Sequence, residues 1–80
     1  MAKVTIRPSS TMIAGYDVLV SGNRVAQFWF HREVRCVRGR NEIWHKGELY
    51  PTGGQVERLD SFAWFADVKR YVRERFQPGT

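Results

Sequence analysis

Residues 16–31 constrain the fold most. Tyr16, Val18 and Val20 recur at every second position, with Asp17 and Leu19 between them. Side chains alternate across a β-strand, so this spacing puts the first three on one face and the other two on the opposite face. Ser21-Gly22-Asn23-Arg24 follows, and Gly22-Asn23 tolerates the positive φ angles of a tight hairpin turn. The return run, Val25 to His31, alternates again. Ala26, Phe28 and Phe30 share one face, while Val25, Gln27, Trp29 and His31 share the other. The chain therefore reverses at Gly22-Asn23, and an antiparallel sheet is expected around it.

The flanking segments fit that sheet. Val4 and Ile6 alternate with Lys3, Thr5 and Arg7, a short half-buried strand that Pro8-Ser9-Ser10-Thr11 breaks. Glu33 to Arg38 alternates once more, with Val34 and Cys36 opposed to Arg35 and Val37. Arg32, Arg35 and Arg38 also fit one helical face, but Val34, Cys36 and Val37 are poor helix formers, so a strand is expected. Gly39 with Asn41 marks a turn, Glu42 to Tyr50 a strand interrupted at Gly47, Pro51-Thr52-Gly53-Gly54 a loop, and Gln55 to Leu59 a short strand.

The last segment changes period. Phe62, Phe65, Val68, Val72 and Phe76 fall on one side at helical spacing, widened by Trp64 and Tyr71. Asp60 or Ser61 is placed to cap the first amides, and with Asp60 as cap, Leu59 is placed to staple onto Trp64. Lys69, Arg70 and Arg73 gather on an adjoining flank, Arg70 lies one turn from Glu74, and Pro78-Gly79 ends the helix. The expected fold is α+β: an antiparallel sheet of four or five strands with one C-terminal helix on one face, in a single domain spanning residues 1–80. One helix covers only part of such a sheet. Some aromatic residues are then exposed, or hidden by a partner or by a second copy in a homodimer.

At 80 residues and 42% hydrophobic content there is no room for a second core, and stability will be modest. The longest fully apolar runs, Val18-Leu19-Val20 and Phe28-Trp29-Phe30, are far too short to span a membrane, and Met1 to Pro8 lacks an apolar stretch resembling a signal peptide. A cytoplasmic location is expected. Cys36 is the single cysteine, so an intrachain disulfide is excluded.

Catalytic chemistry finds little support. Cys36, His31 and His45 are the only nucleophile and bases of note. The odd spacing of Cys36 and His31 sends them to opposite faces of one strand, and no acid is placed to orient either histidine. One cysteine and two histidines do not match a structural zinc pattern, and Gly53-Gly54 is not followed by the Lys-Ser or Lys-Thr of a phosphate loop. Neither an enzyme nor a metal or cofactor is expected.

The charge is more informative. Thirteen basic residues, ten of them arginine, oppose eight acidic ones, a net charge of +5. Arg32, Arg35, Arg38 and Arg40 crowd nine residues around one turn, and Lys46 and Arg24 can join them from neighbouring strands. Arginine forks suit phosphates and carboxylates, while Trp29, Trp44 and Tyr50 can stack on bases or fill a partner's pocket. The partner is therefore anionic: an acidic protein surface or a nucleic acid. Lys69, Arg70 and Arg73 form a second basic patch.

The compact α+β layout, the hairpin at Ser21-Gly22-Asn23-Arg24 and the terminal helix opening Leu59-Asp60-Ser61-Phe62-Ala63-Trp64 together resemble the small inhibitors encoded by phages and mobile elements, including anti-CRISPR proteins. That resemblance implies a non-enzymatic binding protein that occludes a surface of a CRISPR effector complex and blocks DNA binding or cleavage. A charge of +5 departs from the acidic DNA-mimicking members. Here Arg32, Arg35, Arg38 and Arg40 would supply the polar grip, and Trp29 or Trp44 the apolar anchor, on a Cas subunit. The alternative is a small DNA- or RNA-binding protein that uses the arginine-rich sheet face.

Overall fold

The computed structural model describes residues 3–78. Five strands run in chain order: β1 (Val4–Pro8), β2 (Gly15–Val20), β3 (Asn23–Val37), β4 (Arg40–Pro51) and β5 (Glu57–Arg58), followed by one helix, α1 (Phe65–Phe76). Each strand pairs antiparallel with its sequence neighbours, giving an open meander in the order β1-β2-β3-β4-β5. This is the α+β architecture that the sequence predicts.

The two central turns carry the positive φ angles of two-residue hairpins, and both lie earlier in the chain than the sequence pattern predicts. Ser21 and Gly22 (φ 52° and 83°) join β2 to β3, and Asn23 already belongs to the strand. Arg38 and Gly39 (φ 53° and 78°) join β3 to β4, with Asn41 likewise inside the strand. In both, glycine takes the second left-handed position at no steric cost.

Three further boundaries differ from the sequence reading. Val25–His31 and Glu33–Val37 are parts of one 15-residue strand, with Arg38 left in the turn, because Arg32 keeps the alternation and lays its guanidinium over the Trp64 ring instead of breaking the strand. β4 runs straight through Gly47, where lack of a side chain permits close approach: a Cβ there would lie 2.5 Å from the Trp29 carbonyl oxygen. Only Glu57 and Arg58 of the segment 55–59 pair with β4, after which Leu59 turns into the core.

The helix also starts later than predicted. Asp60 does not cap it, because its carboxylate accepts the Gly47 amide and an Arg58 hydrogen bond. Trp64 is the N-cap in extended geometry without a side-chain cap, and it stands exposed instead of stapling onto buried Leu59. Gln77 is the C-cap; of the predicted Pro78-Gly79 stop, Gly79 lies outside the described residues.

The core lies between the sheet and α1. Val4, Val18, Ala26 and Phe28 from the sheet, Leu49 and Leu59, and Val68 and Val72 from the helix are all buried. Phe65 closes one end against Tyr16 (ring centroids 5.0 Å), Phe28 and Phe30 (both 6.2 Å). Phe62 packs on Tyr71, and Glu57 ties β5 to the helix by accepting from the Tyr71 hydroxyl and from Arg75. On the opposite face, the Gln27 amide donates to Ser9, Thr11 and buried Asp17, pinning the β1–β2 loop to the sheet.

A 12-residue helix is about 18 Å long and cannot cover a 15-residue strand of about 50 Å. The long dimension of the molecule, 50 Å against 27 and 21 Å, reflects that mismatch.

Candidate functional site

β2 pairs with β3 only as far as Trp29, and β5 pairs with β4 only at Glu48 and Leu49. Beyond those residues β3 and β4 continue alone, in unbroken register, to the Arg38-Gly39 turn. The result is a two-stranded arm, residues 30–47, projecting about 25 Å from the sheet.

Strand alternation sorts the side chains of the arm. Arg32, Val34 and Cys36 face the helix side, opposite His45, Ile43 and Asn41. His31, Glu33, Arg35 and Val37 take the other side, opposite Lys46, Trp44, Glu42 and Arg40. The predicted arginine cluster is therefore divided. Arg32 sits at the arm's base, 4.2 Å from the Trp64 ring centroid, whereas Arg35 lies across the sheet, 4.6 Å from that of Trp44. Arg38 occupies the tip, and Arg40 and Lys46 share the face of Arg35.

Ion pairing further separates the cations. Glu33 is bonded to Arg35 and lies 3.5 Å from the His31 Nε2, and these neighbours hold its carboxyl below the usual carboxylate range. Arg24 lies 4.0 Å from Asp17 and is not part of the arm. Among the described residues Arg38, Arg40 and Lys46 enter no ion pair. On the helix, Arg70 pairs with Asp67 rather than with Glu74, because Asp67 one turn earlier offers the closer oxygen at 2.6 Å. Lys69 lies over Phe65, so within that second patch Arg73 alone has neither an ion pair nor a ring contact among the described residues.

The two tryptophans also part company. Trp29 is half-buried on the body of the sheet and donates to the Tyr50 hydroxyl at 3.2 Å, which donates to Glu48. Trp44 is on the arm and half exposed, lining a groove of about 260 Å³ with His31, Glu33, Arg35 and Lys46.

The pattern of exposure singles out this end of the molecule. Seven large hydrophobic residues are exposed among the described residues, and five are on the arm or at its base. Val34, Ile43, Trp44 and Trp64 are 49–57% exposed and Val37 is 38% exposed; the other two are Ile13 in the β1–β2 loop and Val56 before β5. Isolated exposed hydrophobics are ordinary, but a cluster rimmed by charge marks an interaction surface. The sequence reading did not single out Val34, Ile43, Ile13 or Trp64. For Val34 and Ile43 the signal was available in the length mismatch between the alternating run and the helix that had to cover it.

Among the described residues, no three His, Cys, Asp or Glu side chains converge into a metal-binding group, and no helix is long and apolar enough to cross a membrane. Cys36 is an exposed free thiol near the arm's tip. No protein-family model, curated protein or solved structure matches the chain.

Proposed function

We propose that this is a non-enzymatic binding protein that inhibits a larger complex by steric occlusion, with the arm as its gripping element. The observation that carries the reading is the concentration of five exposed hydrophobic side chains and the unpaired Arg38 and Arg40 at one end of the fold. Aromatic and arginine anchors amid apolar surface are the composition of protein–protein hot spots. Between Glu33 and Lys46 the arm has no neighbouring strand on either edge, which suits insertion into a cleft of a partner. On the whole-chain layout, the complex is a CRISPR effector whose DNA binding or cleavage is blocked, in the cytoplasm of the host cell.

A nucleic-acid partner is the second reading. It draws on one observation: a two-stranded ribbon fits the DNA major groove, and this one bears unpaired Arg38, Arg40 and Lys46. Its apolar residues on both faces, and Glu33 and Glu42 between the cations, fit phosphate less well than protein.

Two titrations separate the readings. In the first, labelled duplex and single-stranded DNA and RNA are titrated across a salt series. In the second, target-DNA binding by a panel of purified CRISPR effector complexes is followed with added protein. Occlusion predicts inhibition in the second and weak binding in the first. Tight, steeply salt-dependent binding in the first, with no inhibition in the second, would replace the inhibitor with a nucleic-acid-binding protein.

A further inference from the structure

We propose that the outer edge of β3, from Phe30 to Cys36, receives an extended acidic segment of a protein partner as an added β-strand. This deepens the binding reading above and rests on it.

The register fixes which backbone groups are free. A two-residue turn makes Val37 and Arg40 a pair that exchanges both hydrogen bonds, so 35/42, 33/44 and 31/46 do the same. Phe30, Arg32, Val34 and Cys36 then turn their N–H and C=O groups away from β4. Contacts elsewhere on the same strands agree with this phase. The Val25 carbonyl points toward β4 and accepts from Thr52, while Gly47 points away from β3 and bonds to Asp60 and Leu59. Nearer the body of the sheet, β2 occupies this edge of β3; past Trp29 it is vacant. A partner strand would lie in line with β2 and continue its row.

Proteins usually protect such an edge with proline, a bulge or early termination. Residues 30–37 contain neither proline nor glycine, and the register with β4 is unbroken along them. The other edge of the arm is shorter. Asn41, Ile43 and His45 point outward there, but Gly47 is already engaged, so a strand cannot continue past it.

Charge and polarity choose the occupant. Arg32 and Arg35 belong to this strand and Arg38 to the turn at its end; Arg35 and Glu33 offset each other, so Arg32, stacked on Trp64, and the unpaired Arg38 leave the edge net positive. A second copy of the chain would set a further group of arginines beside these, and like charges across strands repel. A nucleic acid offers no alternating ladder of amide donors and acceptors. A peptide with acidic residues for the arginines and apolar ones for Val34 satisfies both the edge and the side chains.

The test uses a fluorescein-labelled peptide of about ten residues alternating glutamate and valine, titrated at low ionic strength. Controls are the same peptide with proline at alternate positions, and the protein variant Val34→Pro. That substitution removes an outward N–H without removing a β3–β4 hydrogen bond, at an edge position where proline is tolerated. The proposal predicts binding to the alternating peptide, and a loss of about tenfold or more with either control. In the unmodified protein, the amide resonances of Phe30, Arg32, Val34 and Cys36 should shift most and gain exchange protection. This readout does not depend on the variant folding. No binding, shifts centred on Asn41–His45, peptide affinity unchanged in folded Val34→Pro, or self-association in place of peptide capture would each overturn the strand-addition proposal. If Arg38→Glu/Arg40→Glu abolishes effector inhibition while any of those results holds, the arm remains the binding element and strand addition alone is refuted.

Discussion

Gly47→Ala should destabilise the protein by about 1–3 kcal/mol, the usual range for overpacking a filled site. The added Cβ would meet the Trp29 carbonyl oxygen at 2.5 Å, and the Phe30 Cα and Cδ1 both at 3.1 Å. Two of those three atoms belong to the backbone of β3, so no rotamer change relieves the contact and the strands must move apart. Movement there weakens two more contacts, Gly47 N–H to Asp60 at 3.1 Å and Leu59 N–H to the Gly47 carbonyl at 2.8 Å. Each is worth about 0.5–1.5 kcal/mol. Opposing this, alanine restricts the unfolded chain and returns about 0.4–1 kcal/mol where the native backbone accepts it. The clash outweighs that gain, because β3 and β4 are paired on both sides of the site. Urea unfolding followed by tryptophan fluorescence reads the effect directly. With a slope of about 1 kcal/mol/M for a domain this small, the midpoint should fall by about 1–3 M. A midpoint equal to or above that of the unmodified protein would refute the close approach of the strands and the anchoring role assigned to Gly47.

Leu49→Ala removes a fully buried side chain and should cost about 2–5 kcal/mol, while Ile43→Ala, on the same strand but half exposed on the arm, should cost under about 1 kcal/mol. Equal losses in urea unfolding would mean that the arm is packed. Arg38→Asn places a residue tolerant of the left-handed region at the arm's tip, so stability should rise slightly, by about 1 kcal/mol or less, seen as a higher thermal midpoint, while partner binding weakens. A fall in stability would contradict the turn geometry. Among the described residues three carboxyls lie below their usual range: Asp17 chiefly through the Gln27 amide hydrogen bond, Glu33 through Arg35, and Asp60 through Arg58. The folded state holds those protons less tightly than the unfolded chain. Their contribution is therefore complete above about pH 4 and lost as pH falls through the lowered folded values. Urea midpoints should be level from neutral pH to about 5 and drop below about 4, and Asp17→Asn should shrink the drop. Tyr71 runs the other way: its hydroxyl is pushed up by the hydrogen bond to Glu57, so that contribution is lost only above about pH 10. Tyr71→Phe should remove this alkaline loss.

The body of the fold was legible because local patterns and tertiary structure agree there. Tyr16, Val18, Ala26 and Phe28 alternate as buried residues do, and Val68 and Val72 mark the helix face that meets them. The boundaries were less legible, since each depended on a distant partner. Asp60 reads as a helix cap until Gly47 is seen to claim its carboxylate, and Gly47 reads as a strand break until Trp29 is seen beside it. The candidate site was legible in location but not in sidedness. Arg32, Arg35, Arg38 and Arg40 do gather at one end, yet strand alternation sends Arg32 to Trp64 and Arg35 to Trp44. Trp29 and Trp44 both read as anchors, and only the sheet shows that one is tied into Tyr50 and Glu48 while the other stands on the arm. Val34 and Ile43 carry the alternation of core residues. Nothing local distinguishes an apolar position under the helix from one that the helix does not reach.

The most direct test of the central claim compares the unmodified protein with Arg38→Glu/Arg40→Glu/Trp44→Ala as inhibitors of target-DNA cleavage by a susceptible CRISPR effector complex, with circular dichroism spectra matched to confirm folding. The arm account predicts at least about a hundredfold loss of inhibitory potency, corresponding to two or three lost hot-spot contacts. Full potency in the folded triple variant would contradict it and move the binding surface off the arm.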